Sequence, residues 1–534
     1  MLHGHLDRAR EALGEEGYED LRTAVDTLAF VTQELESKQT SIQRLKFMLF
    51  GPKTESTEAV CGQTPGQDPQ KPGQVDSSVG ATDGEQETQQ PKEPQPKEKV
   101  PGHGRNGARN YPGADHVRVT LAGMESGAPC PECPNGKVYP QREPATLVRV
   151  KGVAPFAATV YELERWRCNL CGEVFTAPAP DGVGSEKYGE TVAAMLGMLR
   201  YGSGLPMHRI EKLQQGFRIP LPVSTQWEIL LEAAELLLPA YEELVRQAAQ
   251  GEVIHNDDTT MRILGGTTNQ KEGRKGIYTS AILSNHGNHR IALFLTGHNH
   301  AGENLEAVLR HRAEDLAAPI QMCDALAANS MGEAGELDTI LAHCLTHARR
   351  RFVEVEGRFP EEVRHLLESL KVVYRNDARA NQEGMDPPAR LNFHQQESGP
   401  VVKDLETWLR DQIEERKVEP NSGLGQAITY MRKHWKELTL FLHQPGAPLD
   451  NTAAERVIKR AIMHRKNSLF YKTETGARTG DSFMSLIHTA ELNGAQPFDY
   501  LVAIQRNRAL VEENPEEWMP WNYGDTVTGL DLAS

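Results

Sequence analysis

Three acidic residues in this 534-residue chain stand where a strand or a helix could bring their carboxylates together. Asp257 follows the apolar run in "VIHNDDTTM", Asp324 directly follows "PIQMC", and Glu455 lies in "DNTAAERVIKR". Carboxylate oxygens are the ligands that Mg²⁺ prefers. Two such ions about 4 Å apart can clamp the attacking and leaving oxygens of a phosphodiester. The three residues therefore fit metal-assisted cleavage of a nucleic acid.

Each acid also has a purely structural interpretation. Residues 257–260, Asp-Asp-Thr-Thr, could form a turn. Asp324 could cap the N-terminus of a helix. Glu455 follows Thr452 by three residues, which is the spacing of a capping box. Spacing alone leaves both interpretations open.

Lysine and arginine are dense after Glu455, although the chain carries a net charge of -16. A solvated helix face would normally mix signs, whereas DNA phosphates are an obvious partner for a run of one sign. A second basic cluster follows His347. The candidate DNA-binding residues are Arg456, Lys459, Arg460, Arg465, Lys466, Lys472 and Arg478 in the first run, and Arg349 and Arg350 in the second.

Four of the seven cysteines form two CxxC pairs, Cys130 with Cys133 and Cys168 with Cys171. Four thiolates can hold one zinc ion tetrahedrally, and such a closed site is structural and not catalytic. The alternative is two unrelated pairs of buried thiols. A reduced compartment fits this cysteine usage better than a disulfide framework does.

Strands and helices around the acids are predicted from hydrophobic periodicity. "EVIHND", "GIYTSAILSN", "HRIALFLTG" and "APIQMCD" look like short strands, and helices follow, which predicts an α/β domain. Alternation along the first strand places Asp257 and Asp258 on opposite faces. Residues 358–445 form a helical stretch that looks like an insertion. The segment from "DNTAAER" to "AELNG" is predicted to be one basic helix, and "PFDYLVAIQRNRALVEE" a final helix.

The N-terminal part of the chain is organised differently. Apolar residues repeat every seven positions and predict a coiled coil that pairs subunits, or an amphipathic helix docked on its own domain. A disordered linker follows, and then a Gly-Arg-rich arm that could enter a minor groove or be a solvated tail. The heptad positions are Leu21, Leu28, Leu35, Ile42 and Leu49, and the arm contains Arg105 and Arg109.

Residues 186–250 are predicted to be helical, either as a helix-turn-helix that reads DNA or as a packed subdomain. The sequence shows no signal peptide and no apolar run long enough to span a membrane. We therefore expect a cytoplasmic, nucleoid-associated protein with no membrane partner.

Several blocks carry a resemblance to a known family. They are "LKFMLFGPKTE", "RYGSGLPMHRIEKL", "VIHNDDTT", "HCLTHARRRF", "DNTAAERVIKRAIMHRKNSLF" and "SLIHTAELNGAQPFDYL". Over nearly its whole length the chain resembles transposases of the insertion-sequence-66 family. The resemblance implies an RNase H-like core and a catalytic triad of Asp257, Asp324 and Glu455. It also implies that His347 of Cys344-Leu-Thr-His347 lies near the scissile phosphate.

The resemblance further implies a two-ion site for Mg²⁺ or Mn²⁺ held by the triad. DNA would be the partner, as terminal inverted repeats and as target. A homo-oligomer would form on the DNA, and accessory proteins of the same element are possible partners. The family usually has Asp-Glu-Thr-Pro at positions 257–260 and Asp-Gly-Tyr at 324–326. Neither difference removes an acid of the triad.

The chain is thus expected to be a multidomain DNA transposase that cleaves element ends and transfers strands. The alternatives are a nuclease of the same fold without strand transfer, and an inactive, zinc-dependent DNA-binding descendant. The expected segments are a coiled coil at 1–53, linker and arm at 54–118, a zinc module at 119–180, helices at 181–250, the catalytic domain at 251–482 with its insertion at about 358–445, and a helical segment at 483–534.

Overall fold

The computed structural model describes Tyr18 and residues 126–129, 137–139, 153–167, 174–183, 186–265, 276–330 and 338–533. The chain divides into two compact units, Gly66–Ala154 and the remainder. Within the first, the described residues include an antiparallel bridge between Pro129 and Lys137. The predicted heptads and linker, and the side chains of Cys130, Cys133, Cys168, Cys171, Arg105 and Arg109, lie outside the described residues.

A mixed sheet of five strands forms the centre of the larger unit. From one edge to the other, its strands are β5 (289–297), β4 (278–286), β3 (253–260), β6 (320–323) and β7 (340–343). Pairing is antiparallel from β5 to β3 and parallel from β3 to β7. The α/β expectation is thereby confirmed. The strands are β3 Val253–Thr260, β4 Tyr278–His286, β5 His289–Gly297, β6 Ile320–Cys323 and β7 Ile340–His343, and a separate hairpin precedes them, β1 Arg165–Arg167 with β2 Val174–Thr176.

The strand that carries Asp257 is longer than the sequence suggested. β3 pairs with β4 as far as Thr260 opposite Tyr278. The turn interpretation of residues 257–260 is therefore wrong. Antiparallel pairing with β4 continues beyond the point where the parallel partner β6 ends, so these polar residues satisfy their backbone groups within the ladder.

The helices before the sheet share its hydrophobic core. The long helix α3 buries residues at helical spacing, among them Leu230, Leu237 and Leu244, in the same cluster as Ile254 of β3. The helices up to the insertion are α1 Glu190–Gly197, which continues as a π-helical turn Met198–Gly202, α2 Met207–Gly216, α3 Val223–Ala248, α4 Ala301–Leu309 and α5 Leu345–Val353.

The predicted helical stretch after residue 358 is present as a bundle with its own core. This second cluster also contains Ile320 and Met322 of β6 and Ala342 of β7, so the bundle packs beside the parallel edge of the sheet. We call residues 358–445 the insertion. Its helices are α6 Pro360–Gln382, α7 Pro387–Glu397, α8 Gly399–Glu414, α9 Gly423–Lys433 and α10 Trp435–Leu438, followed by a 3₁₀ turn, Leu440–Leu442.

The predicted single basic helix is two helices. Leu469 adopts φ 67°, and after it Tyr471 forms a parallel bridge with Ile263. The expected domain boundary after residue 482 is also wrong, because it falls inside α12. The C-terminal helices are α11 Thr452–Ser468, α12 Glu474–Leu492, α13 Pro497–Arg506, α14 Arg508–Glu513 and α15 Tyr523–Ala533, with a 3₁₀ turn at Pro515–Trp518.

No helix among the described residues is long and apolar enough to cross a membrane.

Candidate active site

Asp257 lies on β3, and Asp324 directly follows its parallel neighbour β6. The ladder between β3 and β6 ends with His255 opposite Met322. Asp257 is two residues past His255, and Asp324 is two residues past Met322. Because side chains alternate along a strand, these two acids leave the same face of the sheet at the same height.

Glu455 lies in the first turn of α11, and its charge acts on Asp257. Asn451, the residue before α11, is fully buried and ties the helix to β3. Its amide nitrogen donates to the Asn256 carbonyl at 3.0 Å, and its Oδ1 lies 3.1 Å from Nδ1 of His255. Asn451, and not Thr452, is the N-cap of α11, and no side-chain capping hydrogen bond forms there, so Glu455 does not belong to the expected capping box.

A buried amide network holds the turn that begins at Asp324. Asn329 donates to Oδ1 of Asp324 at 2.8 Å. Its own carbonyl accepts from the side chains of Asn256 at 2.7 Å and Gln321 at 2.9 Å. The second predicted acid is therefore fixed by side chains from β3 and β6. Residues 325–330 form a turn and not the helix that an N-cap would require.

The three acids repel one another. The pKa of Asp257 is raised to about 7, chiefly by burial and in part by the charges of Asp324, Asp258 and Glu455, against a lowering contribution from the Asp258 backbone N–H. An opposite charge among these carboxylates would relieve this cost. Such a site fits a cation.

His347 of α5 lies beside Glu455. Its Nε2 is 3.8 Å from Oε1 of Glu455, and Cys344 completes a group whose ligand atoms lie within 4.8 Å of one another. Burial raises the pKa of the Cys344 thiol to about 11. The triad acids do not form a group of this tightness among the described residues.

The side chain of Asp258 lies on the opposite face of β3. Its Oδ2 lies 2.7 Å from Nδ1 of His300, whose ring packs 4.0 Å from that of Tyr278. His300 also precedes α4. The pair fastens β3 to α4, so only one of the two adjacent aspartates faces Asp324, as alternation predicts.

A cavity of about 380 Å³ opens beside Asp324. Its wall includes His347, Arg350, Arg351 and Tyr430, and the guanidinium of Arg351 lies 3.8 Å from the centre of the Tyr430 ring. An arginine and an aromatic ring next to the acids suit a nucleotide or a backbone phosphate. A larger cavity of about 480 Å³, beside Trp521, is lined by none of the three acids.

The basic residues after Glu455 divide into two groups. Arg460 contacts Glu491, and Arg465 donates to Thr259 and to Thr260 of β3. Arg478 pairs with Glu474 at 3.6 Å. The others are exposed and belong to no ion pair among the described residues, namely Arg456, Lys459, Lys466 and Lys472. In the second cluster, Arg349 and Arg350 lie half-buried on α5.

Sequence reasoning missed the amides Asn256, Gln321, Asn329 and Asn451. Their signal is weak, since asparagine and glutamine are common in turns and on surfaces. Only the strand register brings them together.

Comparison with known proteins adds the family. Residues 186–479 match the model of the Transposase IS66 family. Three proteins of Sinorhizobium fredii are similar to the chain, all named as uncharacterized. Protein y4jD is 25% identical over 67% of this chain and 71% of its own length. Protein y4qI is 26% identical over 64% of each chain, and y4hP is 23% identical over 67% of each.

Proposed function

Because the chain belongs to the transposase IS66 family, we propose that it cuts the ends of a DNA element and joins them to target DNA, with Asp257, Asp324 and Glu455 as the catalytic acids. The observation that carries the proposal is the convergence of these acids. Two leave adjacent parallel strands at one height, and the third is brought to them by a buried asparagine. When the five strands of the sheet are numbered from one in chain order, their spatial order is 3-2-1-4-5. This order also fits the RNase H-like core that the family resemblance implies.

The donor set fits Mg²⁺ or Mn²⁺. All three residues offer carboxylate oxygens, and Oε1 of Glu455 is buried without a hydrogen-bond partner among the described residues. Asp257, Asp324 and Glu455 would hold the ions. When bound, a pair of such ions activates the attacking oxygen and stabilises the leaving oxygen.

The protein's own residues orient the reaction. His347 lies against Glu455 and keeps its carboxylate directed into the site. On α11, Arg456, Lys459 and Lys466 follow Glu455 at spacings of one, four and eleven residues. Three exposed cations on that helix would hold DNA backbone phosphates near the acids.

The remaining parts of the chain would bind and pair element ends. We assign a structural zinc to Cys130, Cys133, Cys168 and Cys171. The zinc module, the arm with Arg105 and Arg109, and the helices before Gly251 would contact terminal repeats. The N-terminal heptads would pair subunits so that two ends are held together.

Isosteric substitutions test the triad. Asp257→Asn, Asp324→Asn and Glu455→Gln should each lower Mg²⁺-dependent cleavage of element ends at least about 100-fold, because each removes a carboxylate that would hold the metal ions. Binding of the same DNA in a gel-shift assay should survive. Asp258→Asn, one residue away on the other face, is the matched control and should cleave within a few-fold of wild type. Cleavage by Asp257→Asn or Glu455→Gln would refute the assignment.

Strand transfer needs its own assay, because a nuclease of the same fold would pass the first. A pre-cut end with a free 3′-OH is offered together with target DNA and Mg²⁺. A transposase joins the two, and a nuclease does not. An inactive descendant would bind ends but neither cut nor join them.

A further inference from the structure

A second group of metal-ligand side chains lies apart from the three acids. His343, His434 and Glu437 each offer one atom, and these atoms all lie within 4.8 Å of one another. His343 is the last residue of β7, His434 separates α9 from α10, and Glu437 lies in α10. The group therefore joins the edge of the sheet to the insertion.

The His343 side chain leaves the face of the sheet opposite to that of Asp324, although Asp324 is near enough to influence its pKa. His343 pairs with Cys323 in the ladder between β6 and β7. Asp324 is the next residue, and alternation turns it to the opposite face. None of the three ligands belongs to the catalytic triad.

His343 is buried and prepared to act as a ligand. Only 5% of it is exposed, and its Nδ1 has no hydrogen-bond partner among the described residues. Burial lowers its pKa and His434 lowers it further, whereas Glu437, Asp324 and the Cys323 backbone raise it. Burial lowers the pKa of His434 as well. A neutral imidazole is the form that binds a metal.

The ligand types select the metal. Two imidazoles with one carboxylate suit Zn²⁺ and similar ions, usually with water in the fourth position, whereas Mg²⁺ and Ca²⁺ prefer oxygen ligands. Tetrahedral bonds of about 2.1 Å place ligand atoms about 3.4 Å apart. His434 and Glu437 are three residues apart at the half-exposed junction of α9 and α10, so small rotamer changes can close the gap.

We propose that His343, His434 and Glu437 form a zinc site that fastens the insertion to the edge strand β7. The ion would hold one end of α10 against the sheet. Its role is to fix the position of the insertion and not to react with DNA.

The test uses the full-length protein, stripped with a chelator, reloaded with Zn²⁺ and desalted. Wild type should retain about one zinc equivalent more than His434→Ala or Glu437→Gln, and Zn²⁺ should raise its Tm more. His443→Ala, an exposed histidine of the same segment, is the matched control and should behave as wild type. Zinc held by the four cysteines is present in wild type and in these variants alike, so it cancels from the difference in zinc content between them. Cys168→Ser should remove that other equivalent and leave the difference intact.

Equal zinc content and equal Tm shifts in wild type, His434→Ala and Glu437→Gln would overturn the site. A Tm shift of the same size with Mg²⁺ alone would overturn the choice of metal. Glu437→Gln, at a half-exposed position, keeps the test decisive if His434→Ala does not fold. The outcome is separate from the catalytic proposal, because Asp257→Asn should leave zinc content unchanged.

Discussion

At the scale of single residues, Asp257 lowers the stability of the folded protein when its carboxylate is charged. Its ordinary pKa is 3.8, and in the folded protein it is about 7. The folded state therefore holds a proton that the unfolded state has already lost, and stability falls as the pH rises through this window. Above pH 7 the site contains mutually repelling carboxylates. In a site that binds cations, the carboxylates commonly repel one another when no cation neutralises them.

Asp257→Asn should stabilise the metal-free protein at pH 8, because the amide carries no charge to desolvate. We expect a Tm increase of at least about 2 °C, which disappears below about pH 4, where the aspartate is protonated in both states. Mg²⁺ should raise the Tm of wild type and not that of the variant. Thermal melts at the two pH values, with and without Mg²⁺, give the answer. A variant less stable than wild type at pH 8 would contradict the repulsion.

The acids could be predicted from the sequence, and their supports could not. Asp257 and Asp324 each follow an apolar run, so a strand leading to each acid could be predicted, although β3 continues past Asp257 to Thr260. Asn451 is separated from His255 by 196 residues, and nothing local marks the contact. Polar residues that act through long-range pairing carry no periodic signal.

At the scale of elements, α12 covers the outer edge of the sheet. Alternate backbone N–H groups of β5 donate to side chains of α12 spaced four residues apart. Thr296 donates to Asp481 at 2.7 Å, Phe294 to Ser485 at 2.9 Å, and Ala292 to Thr489 at 3.0 Å. The two-residue step of a strand thus matches one turn of an antiparallel helix. This match also explains why a domain boundary inside α12 was wrong.

Asp481→Asn should flatten part of the pH dependence of stability. Burial raises the pKa of Asp481 to about 8, against the hydrogen bonds from Thr296 that lower it. Its contribution to stability is therefore lost between about pH 4 and pH 8. The variant keeps one oxygen for the Thr296 N–H and should gain on the order of 2–4 kcal/mol over wild type at pH 8.5, with little difference at pH 4.

Urea melts across this pH range measure the difference. Asp499→Asn, at an exposed position on the neighbouring helix α13, is the control and should follow wild type. If Asp481→Asn is destabilising at every pH, the carboxylate is held in its charged form.

Strand and helix positions were predicted well where hydrophobic periodicity is strong. The strands now labelled β3 to β6 were all expected. The break between α11 and α12 was missed, because it depends on a leucine at positive φ and on a backbone bond from Tyr471 to Arg262. Leucine gives no local signal for such a conformation. Just before the break, Arg465 donates a hydrogen bond to Thr260 at the end of β3.

At the scale of the whole molecule, a chain of net charge -16 must bind a polyanion through local patches. In the proposed function, the exposed cations of α11 would supply one such patch. The surrounding negative charge would repel DNA that approaches elsewhere. Binding should therefore be strongly dependent on salt and on position.

Lys459→Gln should reduce the dependence of DNA affinity on salt. Each phosphate contact contributes about 0.9 to the slope of log K against log salt, so the slope should fall by about one unit. Lys403→Gln, an exposed lysine on α8 of the insertion, is the matched control and should leave the slope unchanged. Titrations at several salt concentrations decide. Equal slopes for the two variants would move the DNA path away from α11.

The covering of β5 by α12 also limits how copies of this protein can assemble. A bare edge strand invites a neighbouring chain to add its own strand, which leads to fused sheets and aggregation. Here the alternate N–H groups that would donate to such a strand already donate to the side chains of Asp481, Ser485 and Thr489. Two copies brought together on DNA would keep their sheets separate and meet through other surfaces. Crowding many copies on one element would then carry little risk of amyloid-like growth from this edge.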